Sequence, residues 1–252
     1  MNIILLSCSY GVPHFACVQD PCDVRHTDPT PGTATFNNHI EQHLTRGGNT
    51  VWNVSNNGAS NLEVIQRANT LLDGNEVHEI PCRHNGYKII QKPKDVNIDY
   101  VVWICTSVLR DHSGEDIDVD VQTLDEHINI IQGNTYIEMQ KLMQRIPDAK
   151  LIAIGGCGPI DESKLRKVLP VHYCVPDWRA ELLGMEYTEH LSGGAKTNLN
   201  AVMSDPRLSD HLKMAQTVYD NMHQSDAFPD SCHPGASAHR DLYEKILPHI
   251  SI

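Results

Sequence analysis

Short apolar runs alternate along this chain with longer segments whose apolar residues recur at helical spacing. Four runs predict buried strands, at residues 2–6, 51–54, 100–105 and 151–154. Helical spacing predicts helices at about 35–44, 62–72, 124–146 and 237–247. Strands that alternate with helices in this order are typical of a parallel sheet covered on both faces. The pattern therefore predicts an α/β fold, a three-layer α/β/α sandwich with a mainly parallel sheet.

Helix-start and helix-stop residues mark the ends of several of these elements. Ser60 and Glu63 have the S-x-x-E spacing of a capping box and precede the second helix. Gly74 ends that helix, and Gly47-Gly48 ends the first one. We find no linker, internal repeat or low-complexity tract, so we expect one domain over residues 1–252.

The composition sets limits on partners and location. The 20 Lys and Arg against 32 Asp and Glu give a formal net charge of −12, which disfavours nucleic acid as the main partner. No segment approaches the roughly 18 apolar residues that a membrane helix needs. The first eight residues resemble a lipoprotein signal, but they lack a basic region and the apolar run is short. We expect a cytoplasmic protein with no membrane insertion.

The eight cysteines show no CxxC pair or other tight metal-binding spacing. Cys105 and Cys157 lie in or beside apolar stretches, where we expect small buried side chains. We expect the thiols to be reduced, although a disulfide between Cys17 and Cys22, or elsewhere, stays open in an oxidising medium.

Three segments suggest metal or phosphate binding and are better explained without it. The acidic stretch 111–125 lacks the glycine and distal glutamate of an EF-hand, so we interpret it as a solvated loop. His39 and His43 have zinc-binding spacing without the H-E-x-x-H order, which favours a polar helix face. The glycine-rich run 155–158 lacks the Lys-Ser/Thr of a P-loop and predicts a tight loop. We expect no metal or organic cofactor.

Candidate chemistry lies where the strands end. Ligands bind parallel sheets beyond the carboxyl ends of the strands. There the first strand is followed by Ser9, the second by residues 56–61, and the third by Thr106 and Ser107. A serine nucleophile needs a base within hydrogen-bond reach and an acid that orients the base. The strand ends supply the serine, and the base has to come from elsewhere.

The segment Asp230-Ser231-Cys232-His233 supplies the candidate acid and base. A D-x-x-H spacing also occurs at Asp23/His26 and at Asp220/His223. The pair at 220 and 223 lies in a predicted polar helix and is interpreted as a surface pair, while the pair at 23 and 26 lies in the long loop and stays open. The flanking prolines and Gly235, with a helix after them, favour Asp230 and His233 as a rigid loop at the edge of the sheet.

These blocks, taken in order along the whole chain, resemble the SGNH/GDSL hydrolases. Ser7-Cys8-Ser9 falls where that family has Gly-Asp-Ser, and residues 56–61 fall where it commonly has N-x-G-x-S-G. The D-x-x-H-P block, residues 230–234, is the closest match. The resemblance implies that Ser9 is the nucleophile and that Asp230 and His233 are its acid and base. The implied oxyanion and substrate-binding residues are Gly58, Asn61, Thr106 and Ser107.

The chain departs from the family pattern in each of the first three blocks. Only the serine of the first block is kept, and Asn61 stands at the oxyanion glycine of the second, where a backbone N–H still donates. The asparagine of the third block is missing, so Thr106, Ser107, Asn57 or Arg110 would have to replace it. One lost oxyanion donor typically slows an enzyme about 100- to 1000-fold.

The resemblance implies a carboxylic ester hydrolase acting on a small-molecule or carbohydrate ester, with a short acyl group, such as acetyl on a sugar, as the first expectation. Two alternatives stay open. One is an acyltransferase on the same fold, and the other is a carbohydrate-binding protein that has lost catalysis. The sequence leaves the oligomeric state open.

Overall fold

A computed structural model of the chain describes residues 1–8, 40–56, 59–78, 89–92, 95–111, 124–188, 209–228 and 233–250. Within them, five parallel strands form a sheet in the order β2-β1-β5-β6-β7. These strands are β1 (Asn2–Ser7), β2 (Thr50–Asn53), β5 (Tyr100–Cys105), β6 (Lys150–Gly155) and β7 (Tyr173–Val175). A separate antiparallel pair consists of β3 (Val77–His78) and β4 (Ile89–Ile90).

Helices cover both faces of the sheet. They are α1 (Ile40–Arg46), α2 (Asn61–Leu72), α3 (Leu124–Gln144), α4 (Glu162–Val168), α5 (Trp178–Leu183), α6 (Ser209–Gln224) and α7 (Ala236–Ile250). A short 3-10 helix, Val108–Asp111, follows β5. In the described part of the chain, no helix has the length and apolar character needed to cross a membrane.

Successive side chains along a strand point to opposite faces of the sheet, so the protein has two hydrophobic cores, one on each face. On β1, Ile4 and Leu6 pack in one core, and Ile3 and Leu5 pack in the other. The first core contains buried residues of α2, α3 and α4, and the second contains buried residues of α1, α5, α6 and α7. The predicted three-layer α/β/α sandwich is therefore confirmed.

The strand that follows β1 in the five-stranded sheet, β2, lies on one side of β1, and the next strand of that sheet, β5, lies on its other side. The chain passes from β1 through α1 to β2 on one side, and then through α2 to β5 on the other side. The next described helix after β1 is α1 and the next one after β5 is α3, and these two helices lie in opposite layers, so β1 and β5 form the switch point of the sheet. In open parallel sheets this switch point leaves a crevice at the carboxyl edge, where ligands bind.

The structure confirms the four predicted strands, with β5 matching residue for residue. The described helices include the predicted long helix and the final one. The sequence pattern predicted no strand after residue 154 and missed β7, which has only three residues and is followed directly by Pro176. Such a short edge strand carries too few alternating positions to be recognised.

One glycine is required where β6 meets the turn after β7. A Cβ at Gly155 would lie 1.9 Å from the backbone oxygen of Pro176, a distance that no side-chain rotation can relieve. We expect Gly155→Ala to lower the free energy of unfolding by at least about 2 kcal/mol, because the two backbones have to separate. Urea unfolding measures this change.

Gly133 in α3 is the matched control, because a Cβ there meets nothing within 4 Å. Gly133→Ala should be neutral or stabilising by up to about 1 kcal/mol, since alanine favours the helix. Equal urea midpoints for Gly155→Ala and the wild type would show that the strand ends are not packed as described.

Candidate functional site

Backbone hydrogen bonds join the strand ends at the carboxyl edge of the sheet. The N–H of Asn56, just after β2, donates to the carbonyl of Ser7 at the end of β1, at 3.1 Å. The N–H groups of Gly156 and Cys157, after β6, both donate to the carbonyl of Cys105 at the end of β5. The segments that carry the candidate residues therefore lie on one tightly bonded edge.

The start of α2 is capped as its sequence predicts, with one difference. Ser60 Oγ accepts a hydrogen bond from the N–H of Glu63 at 3.2 Å, which confirms Ser60 as the N-cap. The Glu63 carboxylate accepts from Asn56 Nδ2 at 2.9 Å. The capping glutamate thus also anchors the segment after β2 to α2.

Asn61 connects α2 to the residue that follows β5. It is 1% exposed, and its Oδ1 accepts from the N–H of Thr106 at 2.9 Å. Its Nδ2 donates to the carbonyl of Thr106 at 3.1 Å and to Asp111 Oδ2 at 2.9 Å. Both protons of the amide are used, so any oxyanion role of Asn61 falls to its backbone N–H.

The interpretation of residues 111–125 as a solvated acidic loop is wrong for Asp111, which is partly buried and hydrogen-bonded. Its carboxylate accepts from the N–H of Leu62 at 2.8 Å and from the Thr135 hydroxyl at 3.0 Å, in addition to Asn61. Burial raises the pKa of this carboxyl, and these hydrogen bonds oppose the shift. Asp111 therefore stabilises the positive N-terminus of α2 from a distant part of the chain. Residues 112–123 lie outside the described part.

Sequence reasoning missed Asp111 because no local pattern reveals it. Its partners Asn61 and Leu62 lie 50 and 49 residues earlier in the chain. An acidic residue in an acidic stretch is usually solvated, and only the fold brings this one to the start of α2.

Four buried polar atoms at this edge have no hydrogen-bond partner in the described part of the chain. They are Ser7 Oγ, Ser55 Oγ, Asn56 Oδ1 and Thr106 Oγ1. Each belongs to a residue at or just after the end of β1, β2 or β5. A buried polar group without a partner costs about 1–3 kcal/mol, and native proteins leave few of them. The edge of the sheet thus has polar groups available for a bound molecule.

Three buried thiols surround the same strand ends. Cys8, just after β1, and Cys157, after β6, have their sulfurs 3.4 Å apart. Cys105 ends β5 and donates to the carbonyl of Thr106 at 3.2 Å. Desolvation by burial raises the pKa of both Cys105 and Cys157 well above the usual value. The prediction that these two act as small buried side chains is confirmed.

The direction of α7 places His233 at the carboxyl edge. Near its C-terminus, His249 stacks on Tyr173, the first residue of β7, with ring centroids 3.7 Å apart. Near its N-terminus, the His239 ring lies 5.4 Å from that of Trp178, which follows β7. The helix therefore runs antiparallel to the sheet, so half-buried His233, just before it, lies at the end where Cys8 follows β1.

The predicted site residues are described in part. Asn61 and Thr106 are in direct contact, Ser107 is buried beside them, and His233 lies at the same edge. Ser9, Gly58 and Asp230 lie outside the described residues, as do Asn57, Asp23/His26, Cys17, Cys22 and His39. The roles predicted for them stay predictions.

Two of the competing histidine interpretations fall within the described ranges. Asp220 and His223 are both exposed on α6, where Asp220 accepts from Gln216 and His223 lies against the Tyr219 ring. The prediction of a surface pair is confirmed. His43 stacks on Tyr243 of α7, with ring centroids 5.3 Å apart.

No protein-family model, curated protein or solved structure matches this chain.

The buried thiols should resist alkylation while the protein is folded. Because a thiolate is the reactive form, each unit by which burial raises the pKa lowers reactivity about tenfold. We expect iodoacetamide at pH 8 to label Cys105 and Cys157 at least about tenfold more slowly in native protein than in urea. Peptide mass spectrometry gives the rate for each site.

Cys174 serves as the internal comparison, since it is only partly buried and burial raises its pKa to about 12. Its labelling should fall between that of the fully buried thiols and that of the unfolded chain. Equal rates in native and unfolded protein at Cys105 and Cys157 would contradict their burial at the strand ends.

Proposed function

We propose that this protein is a serine ester hydrolase of the SGNH type, with Ser9 as nucleophile, His233 as general base and Asp230 as the acid that orients it. The direction of α7 carries this proposal. It brings His233 to the edge of the sheet where β1 ends, and Cys8, the residue before Ser9, is buried at that edge. The four buried polar atoms that have no partner among the described residues lie at the same edge.

The proposed reaction proceeds through an acyl-enzyme. Ser9 Oγ attacks the acyl carbonyl, its proton moves to His233, and the carbonyl π electrons move to the oxygen, which becomes an oxyanion. Collapse of this intermediate breaks the bond to the alcohol, which leaves with the proton from His233. Water then attacks the acyl-enzyme with His233 as base, releasing the acid and restoring Ser9.

A short acyl ester of a neutral, hydroxyl-rich alcohol is the proposed substrate class. The formal net charge of −12 disfavours strongly anionic substrates through long-range repulsion. The four polar atoms at this edge that have no partner within the described ranges belong to hydroxyl and amide groups, which bind sugar hydroxyls well. A carbohydrate acetyl ester fits both features.

The nucleophile is tested by reacting the protein with a fluorophosphonate and locating the adduct by peptide mass. We expect an adduct on Ser9, and we expect Ser9→Ala to lower p-nitrophenyl acetate turnover by about 1000-fold or more. Ser237→Ala, at an exposed serine of α7, should keep wild-type turnover. Absence of the adduct, with equal turnover in all three proteins, would exclude the hydrolase and the transferase and favour a binding protein.

The base is tested by a matched pair of histidine variants. His233→Ala should lower turnover by at least about 100-fold, because the serine proton then has no acceptor. His223→Ala removes the histidine of the exposed D-x-x-H pair on α6 and should leave turnover unchanged. Equal activity in the two variants would show that His233 is not the base. Product analysis with added sugar acceptors separates hydrolysis from acyl transfer.

A further inference from the structure

The G-x-N-D block of SGNH hydrolases falls here on residues 106–109, where Val108 stands in place of the asparagine donor and the block begins with Thr106. This residue follows β5 at the switch point and is 1% exposed. Its hydroxyl has no hydrogen-bond partner in the described part of the chain. The side chain has one O–H donor, and the contacts of the Thr106 backbone determine where that donor is held.

Asn61 holds the backbone of Thr106 from both sides. The Thr106 N–H donates to Asn61 Oδ1 at 2.9 Å, and the Thr106 carbonyl accepts from Asn61 Nδ2 at 3.1 Å. The carbonyl also accepts from the Cys105 thiol. Both backbone polar groups of Thr106 are therefore engaged within the protein, and the hydroxyl is the group that is left for a ligand.

Asp111 fixes which way the Asn61 amide faces. A carboxylate oxygen only accepts, so the group that meets Asp111 Oδ2 at 2.9 Å is the NH₂ of Asn61. This leaves the amide oxygen for the N–H of Thr106. Asp111 is itself held by the Leu62 N–H and the Thr135 hydroxyl, which join it to α2 and α3.

We propose that the Thr106 hydroxyl is the oxyanion donor that replaces the missing asparagine, and that Asn61 and Asp111 are the positioning residues that hold Thr106 in place. This inference rests on the proposed hydrolase. As the bond from Ser9 Oγ to the acyl carbon forms, the carbonyl π electrons move to the oxygen and the Thr106 O–H donates a hydrogen bond to it. No proton leaves Thr106. Donors fixed in place and shielded from water stabilise such a charge most strongly.

The donor is tested by removing the hydroxyl while keeping the shape of the side chain. Thr106→Val should lower kcat for p-nitrophenyl acetate about 100-fold with KM changed less than about twofold, since the lost bond forms only in the transition state. Thr106→Ser keeps a hydroxyl and should retain kcat within about tenfold of the wild type. Thr217→Val, at an exposed threonine of α6, is the matched control and should behave as the wild type.

A stability measurement separates this role from a structural one. Thr106→Val removes a buried hydroxyl that has no partner in the described residues, so its urea midpoint should equal or exceed that of the wild type. A loss of kcat together with a lower midpoint would indicate a folding defect and would overturn the assignment of Thr106 as donor.

The positioning residues are tested by a double-mutant cycle. Asp111→Asn leaves one acceptor oxygen where the carboxylate has two, so the Asn61 amide or the Leu62 N–H loses its acceptor. We expect kcat to fall about tenfold with KM unchanged, and the Thr106 N–H to exchange faster with solvent. If Asp111 acts through Thr106, the double variant with Thr106→Val should be no slower than Thr106→Val alone. Additive losses would overturn the positioning role.

Fluorophosphonate labelling distinguishes failure of this inference from failure of the proposed function. A Ser9 adduct in the wild type, with full kcat in Thr106→Val, overturns the donor assignment and leaves the hydrolase standing. No Ser9 adduct in the wild type removes the hydrolase and the oxyanion role together.

Discussion

The central strand β5 is buried on both faces, and all six side chains of Tyr100–Cys105 lie inside the protein. Helical layers cover both sides, so each of its positions faces a core, which favours apolar side chains. Polar residues can enter only where the strand leaves the cores. Thr106 and Ser107 come directly after this point, and they are buried too. Two-sided burial thus confines the chemistry of the chain to the ends of its strands.

The sheet order decides which strand ends meet. β1 lies between β2 and β5, so residues after these three strands share one edge. The helices that come next after β1 and β5 among the described elements, α1 and α3, lie in opposite layers, so these two strands form the switch point of the sheet. α7 then returns antiparallel to the sheet and brings His233 to that edge. A nucleophile and a base far apart in sequence can meet in this way without any local motif that joins them.

The elements that could be predicted from the sequence are those whose cause is local. A continuous apolar run defines β5, and the capping serine and Gly74 bound α2 because their hydrogen bonds and backbone angles involve near neighbours. Non-local causes could not be inferred. Asp111 caps a helix that begins 50 residues earlier, and α7 packs against a strand far from it in the sequence, as the stacking of His249 on Tyr173 shows. For the site, the sequence indicated Asn61 and Thr106 but not the bonds that join them.

The Asn61–Asp111 network serves fold and site through the same atoms. The carboxylate that caps α2 also orients the amide that holds Thr106, so the start of α2 and the end of β5 cannot move independently. Burial raises the pKa of Asp111, and the hydrogen bonds donated to its carboxyl group partly oppose that shift. Replacing the network with apolar side chains would remove the desolvation cost, but it would also release the backbone of Thr106. Ser60 already caps α2, so the further effect of the partly buried Asp111 is to fix the Asn61 amide and, through it, the backbone of Thr106.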